Sequence, residues 1–420
     1  MSRITLRQRI STEWFTWASL AIVSALLEGG VLGVIVKNGF AGQVDSNLLN
    51  FAVALVTGAP YFSNLLSIYW VSLSRGKSKA RMVSNLAMVF CICAFLMGFV
   101  PFNELGLLLF IFLLVIARIC WSGVLTVRSN IWRANYPRYI RGKVTAKLAT
   151  LASIMMSFTA ISVGWLLDQN FQLFQVIFIS LSVLSIFGAY RYRSLAVRHQ
   201  QKEIVVETNN QNKTTIKSVF SILKTNKPFS RYMLSMFVLG SGNLMFMAPM
   251  IVFLNEHTAL LKLDQILIST AIPLALIPIA VNRWAKLLDG NHIFHFRSIH
   301  SWVFVIALIV FLLAQLTLLT PLYYLASIIY GVAIAGGVIG WNLGHNDFVG
   351  KGSPMDYMAI HVTLTGVRGL FMPIVGISLY QYLETLNHGL GKWALLLPLT
   401  ITTIGALLFV YFHAKNKTLK

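Results

Sequence analysis

Three ionisable side chains stand deep inside apolar runs of this sequence: Glu28, Arg118 and Arg368. A charge at the centre of a bilayer costs roughly 2.5–3.5 kcal/mol, so such residues normally have a partner or a task. Glu28 lies about 14 residues from one end of its run and Arg118 about 12 from the opposite end of its own, which gives them similar depth at 1.5 Å per residue. Glu28 shares a helical face with Ser24 and Trp17, and Arg118 shares one with Trp121 and Ser122. A carboxylate beside a guanidinium stays ionised until something diverts the cation, and it can then accept a proton. The bland alternative is a buried pair that only fixes helix packing.

Arg368 belongs to a stripe of His361, Thr365, Arg368 and Met372 on one helical face. No acid lies at comparable depth in the second half of the chain. Arg368 must therefore turn to backbone carbonyls, to Glu28 or to a solute, unless it simply pins neighbouring helices. Two arginines against one glutamate favour an anionic or zwitterionic solute, because a guanidinium fork matches carboxylate and phosphate groups. Asn64 and Asn243 are mid-run amides suited either to a solute or to helix–helix hydrogen bonds. His361 reads as a gate or hydrogen-bonding residue near one end of its run. Gly331, Gly336, Gly337, Gly340 and Gly344 allow close packing or bending, with Trp341 and Asn342 as candidate gate residues beside them.

The elements that must hold these groups are twelve apolar runs of about 19 to 24 residues, near the length a helix needs to cross a ~30 Å hydrocarbon layer. They cover 14–36, 48–71, 82–101, 106–128, 147–167, 172–190, 231–254, 265–284, 299–319, 322–344, 357–380 and 392–412, numbered here as spans 1 to 12. Hydrophobic residues make up 57% of the chain and charged ones 11%, too little polar surface for a soluble fold. Trp14, Trp17, Trp70, Trp302 and Trp393 fall near span ends, where interfacial rings are expected. The net charge of +21 is unevenly placed. Most Lys and Arg lie in the N-terminal segment, the even-numbered loops and the C-terminal segment. The odd-numbered loops hold Lys37, Lys262 and Lys392 beside Asp45, Glu104, Asp168, Glu256, Asp264 and Glu384. The positive-inside rule then puts both termini and all even loops in the cytoplasm. With no compact basic domain, nucleic acid is not an expected partner. Span 1 follows Arg3, Arg7 and Arg9 like a signal peptide but is long for one, and it reads as a retained helix. Cys91, Cys93 and Cys120 offer no disulfide framework.

Residues 191–230 form the one long polar stretch and divide six spans from six. Within it Ile216, Phe220 and Leu223 share helical spacing beside Lys217 and Lys224, which suits an amphipathic helix on an anionic leaflet or else a disordered basic linker. Asn212-Lys213-Thr214 has the form of a glycosylation site but falls on the cytoplasmic side. One common shift aligns Val163-Gly164 with Val375-Gly376 and Asn130 with Asn342, a slight internal similarity. The matching span count and charge pattern add to it, as in transporters built from parallel six-helix repeats.

Tyr136-Pro137 followed by Arg141-Gly142-Lys143 resembles the cytoplasmic element that follows helix 4 in the major facilitator superfamily. Arg118 followed by Gly123 resembles that family's helix 4 arginine motif, with the glycine one position late. Gly76-Lys77, with Lys79 and Arg81, resembles the basic end of the family's helix 2–3 loop motif, although Leu73 replaces the usual aspartate. Ala285 and Asp289 fit the second-half copy, with alanine for glycine. The resemblance in topology covers essentially the whole chain. It implies that spans 1 and 4 line a central cavity, bringing Glu28 to Arg118. Ser24, Asn64, Trp121, Asn243, His361 and Thr365 are then the expected lining, and Gly76, Lys77, Arg141, Asp289, Trp341 and Asn342 the expected cytoplasmic gate. The family's drug/proton antiporters carry a Gly-Pro-rich motif in helix 5, whereas span 5 here has Gly164 and no proline. Gly366, Gly369, Pro373 and Gly376 in span 11 have that flavour in the other half.

There is no Walker sequence to take ATP. His292, His295 and His300, placed in or beside a cytoplasmic loop, lack metal-site spacing. The expectation is an all-α polytopic membrane protein with two six-helix bundles, 1–190 and 231–420, joined by the linker 191–230. It is expected to act without a cofactor, as a monomer in a bacterial inner membrane, with a small solute, protons and membrane lipids as partners. Its expected work is proton-coupled secondary transport of a small anionic or zwitterionic solute. Efflux of amphipathic compounds in exchange for protons is the alternative, and a transporter-like sensor, docking a partner on the basic loop, belongs to another class.

Overall fold

The computed structural model describes residues 6–209, 216–349 and 354–417. Among them are twelve helical spans long and apolar enough to cross a membrane: Leu6–Gly39, Ser46–Leu66, Lys79–Met97, Glu104–Asn135, Gly142–Gln169, Leu173–Ser194, Lys227–His257, Lys262–Asp289, Ile293–Thr317, Thr320–Phe348, Asp356–Leu386 and Leu390–Lys415. Each contains the greater part of one hydrophobic run, so the span numbers carry over. No strand occurs among the described residues. Large apolar side chains such as Phe99, Phe112, Phe158, Trp165, Phe187 and Ile279 stand exposed on the outside of the helices, as lipid contact demands.

Several boundaries move. Span 1 begins at Leu6 rather than at 14, which brings Glu13 inside the helix. Span 9 begins at Ile293 rather than at 299, so His295 and Arg297 also lie in the helix, where Arg297 and His300 are buried. Lys37 is also no loop charge: it is buried in the last turn of span 1. Trp17 is buried rather than interfacial, whereas Trp14 and Trp393 are exposed.

The packing has two compact units, Met1–Glu28 with Ser63–Thr214, and Gly29–Phe62 with Thr215–Lys420. In the first, span 1 packs on spans 5 and 6, span 3 on spans 4 and 6, and the end of span 2 on span 4. In the second, span 7 packs on spans 11 and 12, span 9 on spans 10 and 12, and span 8 on span 10. Adding six to each number in the first set produces the second, so a parallel repeat is present in the packing although identity between the halves is slight. Small hydroxyl residues join neighbouring helices in the first unit: Thr16 donates to the Gly188 carbonyl, Ser185 to that of Ser19 at 2.6 Å and Ser84 to that of Ala189 at 2.8 Å.

Spans 1 and 7 are both interrupted. Span 1 consists of the helices Leu6–Leu26 and Gly29–Gly39, with Leu27 and Glu28 between them and Gly29-Gly30 weakening the helix there. Span 7 consists of Lys227–Met245 and Met247–His257. Pro249 explains its break, because a proline ring clashes with the carbonyl four residues earlier, here that of Met245. Span 2 tightens to a 3-10 turn at Ser63–Leu66 beyond Pro60, and span 8 carries a π-helical turn at Leu267–Ala271 before Pro273.

The chain passes from one unit to the other at the span 1 break and at the span 2 turn. Consequently Gly29–Gly39 and Ser46–Phe62 pack with the second half of the sequence, on the Met247–His257 helix, and Ser46–Phe62 also packs on span 11. Gly58 and Gly369 make that last contact: a Cβ on Gly58 would strike the Gly369 carbonyl, and one on Gly369 the backbone of Phe62. The division at 191–230 is one of topology, while packing assigns residues 29–62 to the second unit. In the linker, helices form at Gln200–Asn209 and Ile216–Thr225. The side chains of Ile216 and Phe220, and the Asn212-Lys213-Thr214 triplet, lie outside the described residues.

Candidate functional site

Glu28 falls where span 1 is interrupted, and its carboxylate stands 3.6 Å from the Arg118 guanidinium. Arg118 projects from span 4 with 3% of its side chain exposed, against 28% for Glu28. The break also matters for Arg118, whose guanidinium donates to the carbonyl of Leu27. Interrupted helices in a membrane are tolerated where their freed backbone groups find partners, and a buried cation supplies one here. Ser24 is buried one turn earlier, its hydroxyl without a partner among the described residues. Trp121 stacks on Phe90 at 4.6 Å and meets Trp17 edge-on at 6.0 Å. The structure thus brings Glu28, Arg118, Ser24 and Trp121 into one neighbourhood of the first unit.

A second acid lies nearer the start of span 1. Glu13 is fully buried and accepts hydrogen bonds from Trp17 Nε1 at 2.6 Å, Trp132 Nε1 at 3.3 Å and the Tyr192 hydroxyl at 3.2 Å. Arg128 lies over the rings of Trp17 and Trp132, 3.9 and 4.1 Å from their centroids, within electrostatic reach of Glu13. Just beyond span 4, burial and then the Glu13 charge raise the pKa of Tyr136, keeping it protonated. Sequence reading missed Glu13 because Arg7, Gln8 and Arg9 make the first turns of span 1 look like a polar tail. The usable signal was the alignment of Glu13 with Trp17 and Ser24 on one helical face. Glu13→Ala leaves three donors unpaired, and a buried polar group left without its partner costs about 1–3 kcal/mol. The melting temperature of the purified variant is expected to fall sharply, and a melting curve like that of the wild type would show the cluster to be dispensable.

In the second unit Arg368 is 4% exposed and reaches across to span 7. It donates to the Met236 carbonyl, to that of Phe237 at 3.5 Å and to Thr365 Oγ1 at 2.8 Å. Gly240 makes room for it, since a Cβ there would collide with the guanidinium. Thr365 in turn donates to the His361 carbonyl at 2.9 Å, and Trp341 Nε1 approaches Thr365 Oγ1 at 3.5 Å. His361 is buried between Trp341, 5.3 Å away ring to ring, and Tyr232. Neither ring nitrogen has a hydrogen-bond partner among the described residues, so the expected hydrogen-bonding role is not seen. Arg297 is a further buried cation, close to His300 at 3.2 Å, and sequence reading missed it by starting span 9 too late. Among the described residues, no carboxylate pairs with Arg297 or Arg368.

The remaining candidates scatter. Asn64 is half-buried on the 3-10 turn of span 2, and Asn243 is half-buried on span 7 with its amide oxygen unpartnered among the described residues. Asn342 bonds its own helix through the Val338 carbonyl at 2.8 Å. Lys77 and Asp289 are exposed, and the Arg141 side chain lies outside the described residues. Gly76 does enter a latch, but with the linker: its N–H donates to Glu207 at 3.0 Å, and Lys79, buried, bonds the same carboxylate oxygen at 2.6 Å.

A further latch, unforeseen, lies at the opposite end of the helices, the end that carries the odd loops. Lys37 Nζ is 2.6 Å from Glu256 and 2.7 Å from Asn50 Oδ1, while the Tyr380 hydroxyl donates to Glu256 at 2.8 Å. Asn255 donates to Asn38, and Gln381 to the carbonyl of Asn47.

Residues 18–354 match the family model described as Major Facilitator Superfamily. The chain belongs to that superfamily. No curated protein sequence matches this superfamily member. Solved structures do match it in fold. The nucleoside transporter NupG is 12% identical with a TM-score of 0.70, covering 97% of this chain and 99% of its own. The xylose transporter XylE from E. coli is 12% identical with a TM-score of 0.69 and 97% coverage of both chains. The POT family transporter PepTSo is 11% identical with a TM-score of 0.72 and 100% coverage of both. This facilitator-superfamily chain is therefore a multi-pass membrane protein with the fold of a secondary transporter and not an enzyme.

Proposed function

We propose that this protein carries a small organic anion or zwitterion across a bacterial inner membrane by alternating access, as a single chain, coupled to protons through Glu28. The observation that carries this reading is the surplus of buried guanidinium. Arg118 has the partly exposed Glu28 as its carboxylate, and Arg368 is satisfied by backbone carbonyls and a threonine hydroxyl. A carboxylate or phosphate on the solute is a better partner for a guanidinium than a neutral carbonyl, because both members of the bond are charged. A solute that draws Arg118 away leaves Glu28 without its counter-ion, and the acid then takes up a proton. This reading is supported by the position of Glu28 at the break, where the chain passes between the compact units. The charge pattern of the loops supports cytoplasmic termini, which would make the Lys37–Glu256 latch an external closure and the Gly76–Lys79–Glu207 latch a cytoplasmic one.

Glu28→Gln tests the coupling. Reconstituted protein carrying this change is expected to lose the pH dependence of solute uptake, and solute is no longer to drive proton movement. Uptake with the wild-type pH profile would remove Glu28 from the mechanism.

A further inference from the structure

At the odd-loop end of the second unit, three potential metal ligands converge from three places in the chain. His257 closes the helix Met247–His257, Glu384 lies in the last turns of Pro354–Leu386, and His388 sits on the turn that follows. His257 Nε2 is 3.1 Å from Glu384 Oε1, His388 Nδ1 is 3.2 Å from Glu384 Oε2, and the three ligand atoms lie within 4.8 Å of one another. Zinc bonds of about 2.0–2.1 Å in a tetrahedron put neighbouring ligand atoms about 3.3 Å apart. Each histidine stands at nearly that spacing from Glu384, though from a different carboxylate oxygen, so one edge is in place. The other two need His388 to swing inward, and its side chain is 86% exposed on a turn that Gly389 bends at a φ of 88°.

The surroundings hold the other two ligands still. Both oxygens of Glu384 also accept backbone N–H groups, from Gly391 at 2.9 Å and Gly389 at 2.8 Å, which fixes the plane of the carboxylate. The His257 ring stacks on Phe253 with centroids 4.8 Å apart. Tyr380 stands 3.1 Å from His257 Nε2 and gives its own proton to Glu256, so a metal on that nitrogen takes the place of the tyrosine contact. Two imidazole nitrogens and one carboxylate oxygen are a donor set for zinc and its neighbours rather than for magnesium or calcium.

We infer that His257, Glu384 and His388 bind a first-row divalent cation of the zinc type, with water in the fourth position. The bound ion ties the end of span 7 to the segment between spans 11 and 12, beside the Lys37–Glu256 latch. It acts as a brace between these segments.

The test uses the full chain in detergent micelles, freed of any histidine tag, in equilibrium dialysis against zinc. One zinc per chain is expected, together with a higher melting temperature. Affinity should fall at least about tenfold in His388→Ala, an exposed position that does not threaten folding, and again in Glu384→Gln. Calcium or magnesium in excess should not displace the zinc, while cobalt should bind with the visible absorption of a low-coordinate site. Equal zinc binding by wild type and His388→Ala would overturn the inference. So would no zinc retained at about 0.1 mM free metal, or displacement by calcium.

Discussion

With Arg368 replaced by Gln, transport of anionic solute is expected to fall about 100-fold while that of lipophilic cations is spared. Removing one member of a desolvated, hydrogen-bonded charge pair costs roughly 2–5 kcal/mol, and about 2.7 kcal/mol corresponds to 100-fold. Arg368 fits that description when a solute carboxylate is its partner, because it is 4% exposed and no described carboxylate pairs with it. Its bonds to the Met236 carbonyl and Thr365 hold the fork in place without neutralising it. Uptake assays on anionic and lipophilic cationic solutes in parallel separate two roles. A selective loss supports solute recognition, whereas equal loss of both would mean that Arg368 only ties span 11 to span 7.

The second large effect concerns the Lys37–Glu256 latch. Glu256→Ala leaves Lys37, 5% exposed, with Asn50 as its remaining described partner. A fully buried charge left so would cost 3–5 kcal/mol, but Glu256 is 29% exposed and water can take part of its place. About 2 kcal/mol is a fair expectation, or roughly a 30-fold shift away from this packing. Thr57 reports on it, being buried on the Ser46–Phe62 helix. A cysteine at position 57, in a protein whose native cysteines are replaced by serine, should be alkylated about 30-fold faster once Glu256 is gone. Unchanged alkylation would show that the latch does not hold these helices.

Hydropathy made the twelve spans legible because a bilayer demands about 20 apolar residues per crossing, and this demand acts on each span separately. It failed where tertiary packing admits polar groups. Glu13 looks like part of a cationic tail until Trp17, Trp132 and Tyr192 close over it. Lys37 looks like a loop charge until Glu256 and Asn50 meet it. The pairing of Glu28 with Arg118 could be anticipated from depth and from family resemblance, and the geometry brings them within 3.6 Å. The break in span 1 has a local sign in Gly29-Gly30. That in span 7 has a displaced one, since Pro249 acts on the carbonyl a turn before it. The clasp of Lys79 with Glu207 was illegible because its acid comes from the linker, 128 residues away.

Proton movement in proteoliposomes is the most direct test of the central claim. Vesicles holding a trapped pH dye would be challenged with solute pools sorted by charge. Solute-dependent proton flux is expected with anionic or zwitterionic pools, absent with neutral and cationic ones and lost in Glu28→Gln. Flux driven by lipophilic cations, or anion transport with no proton movement at all, would contradict it.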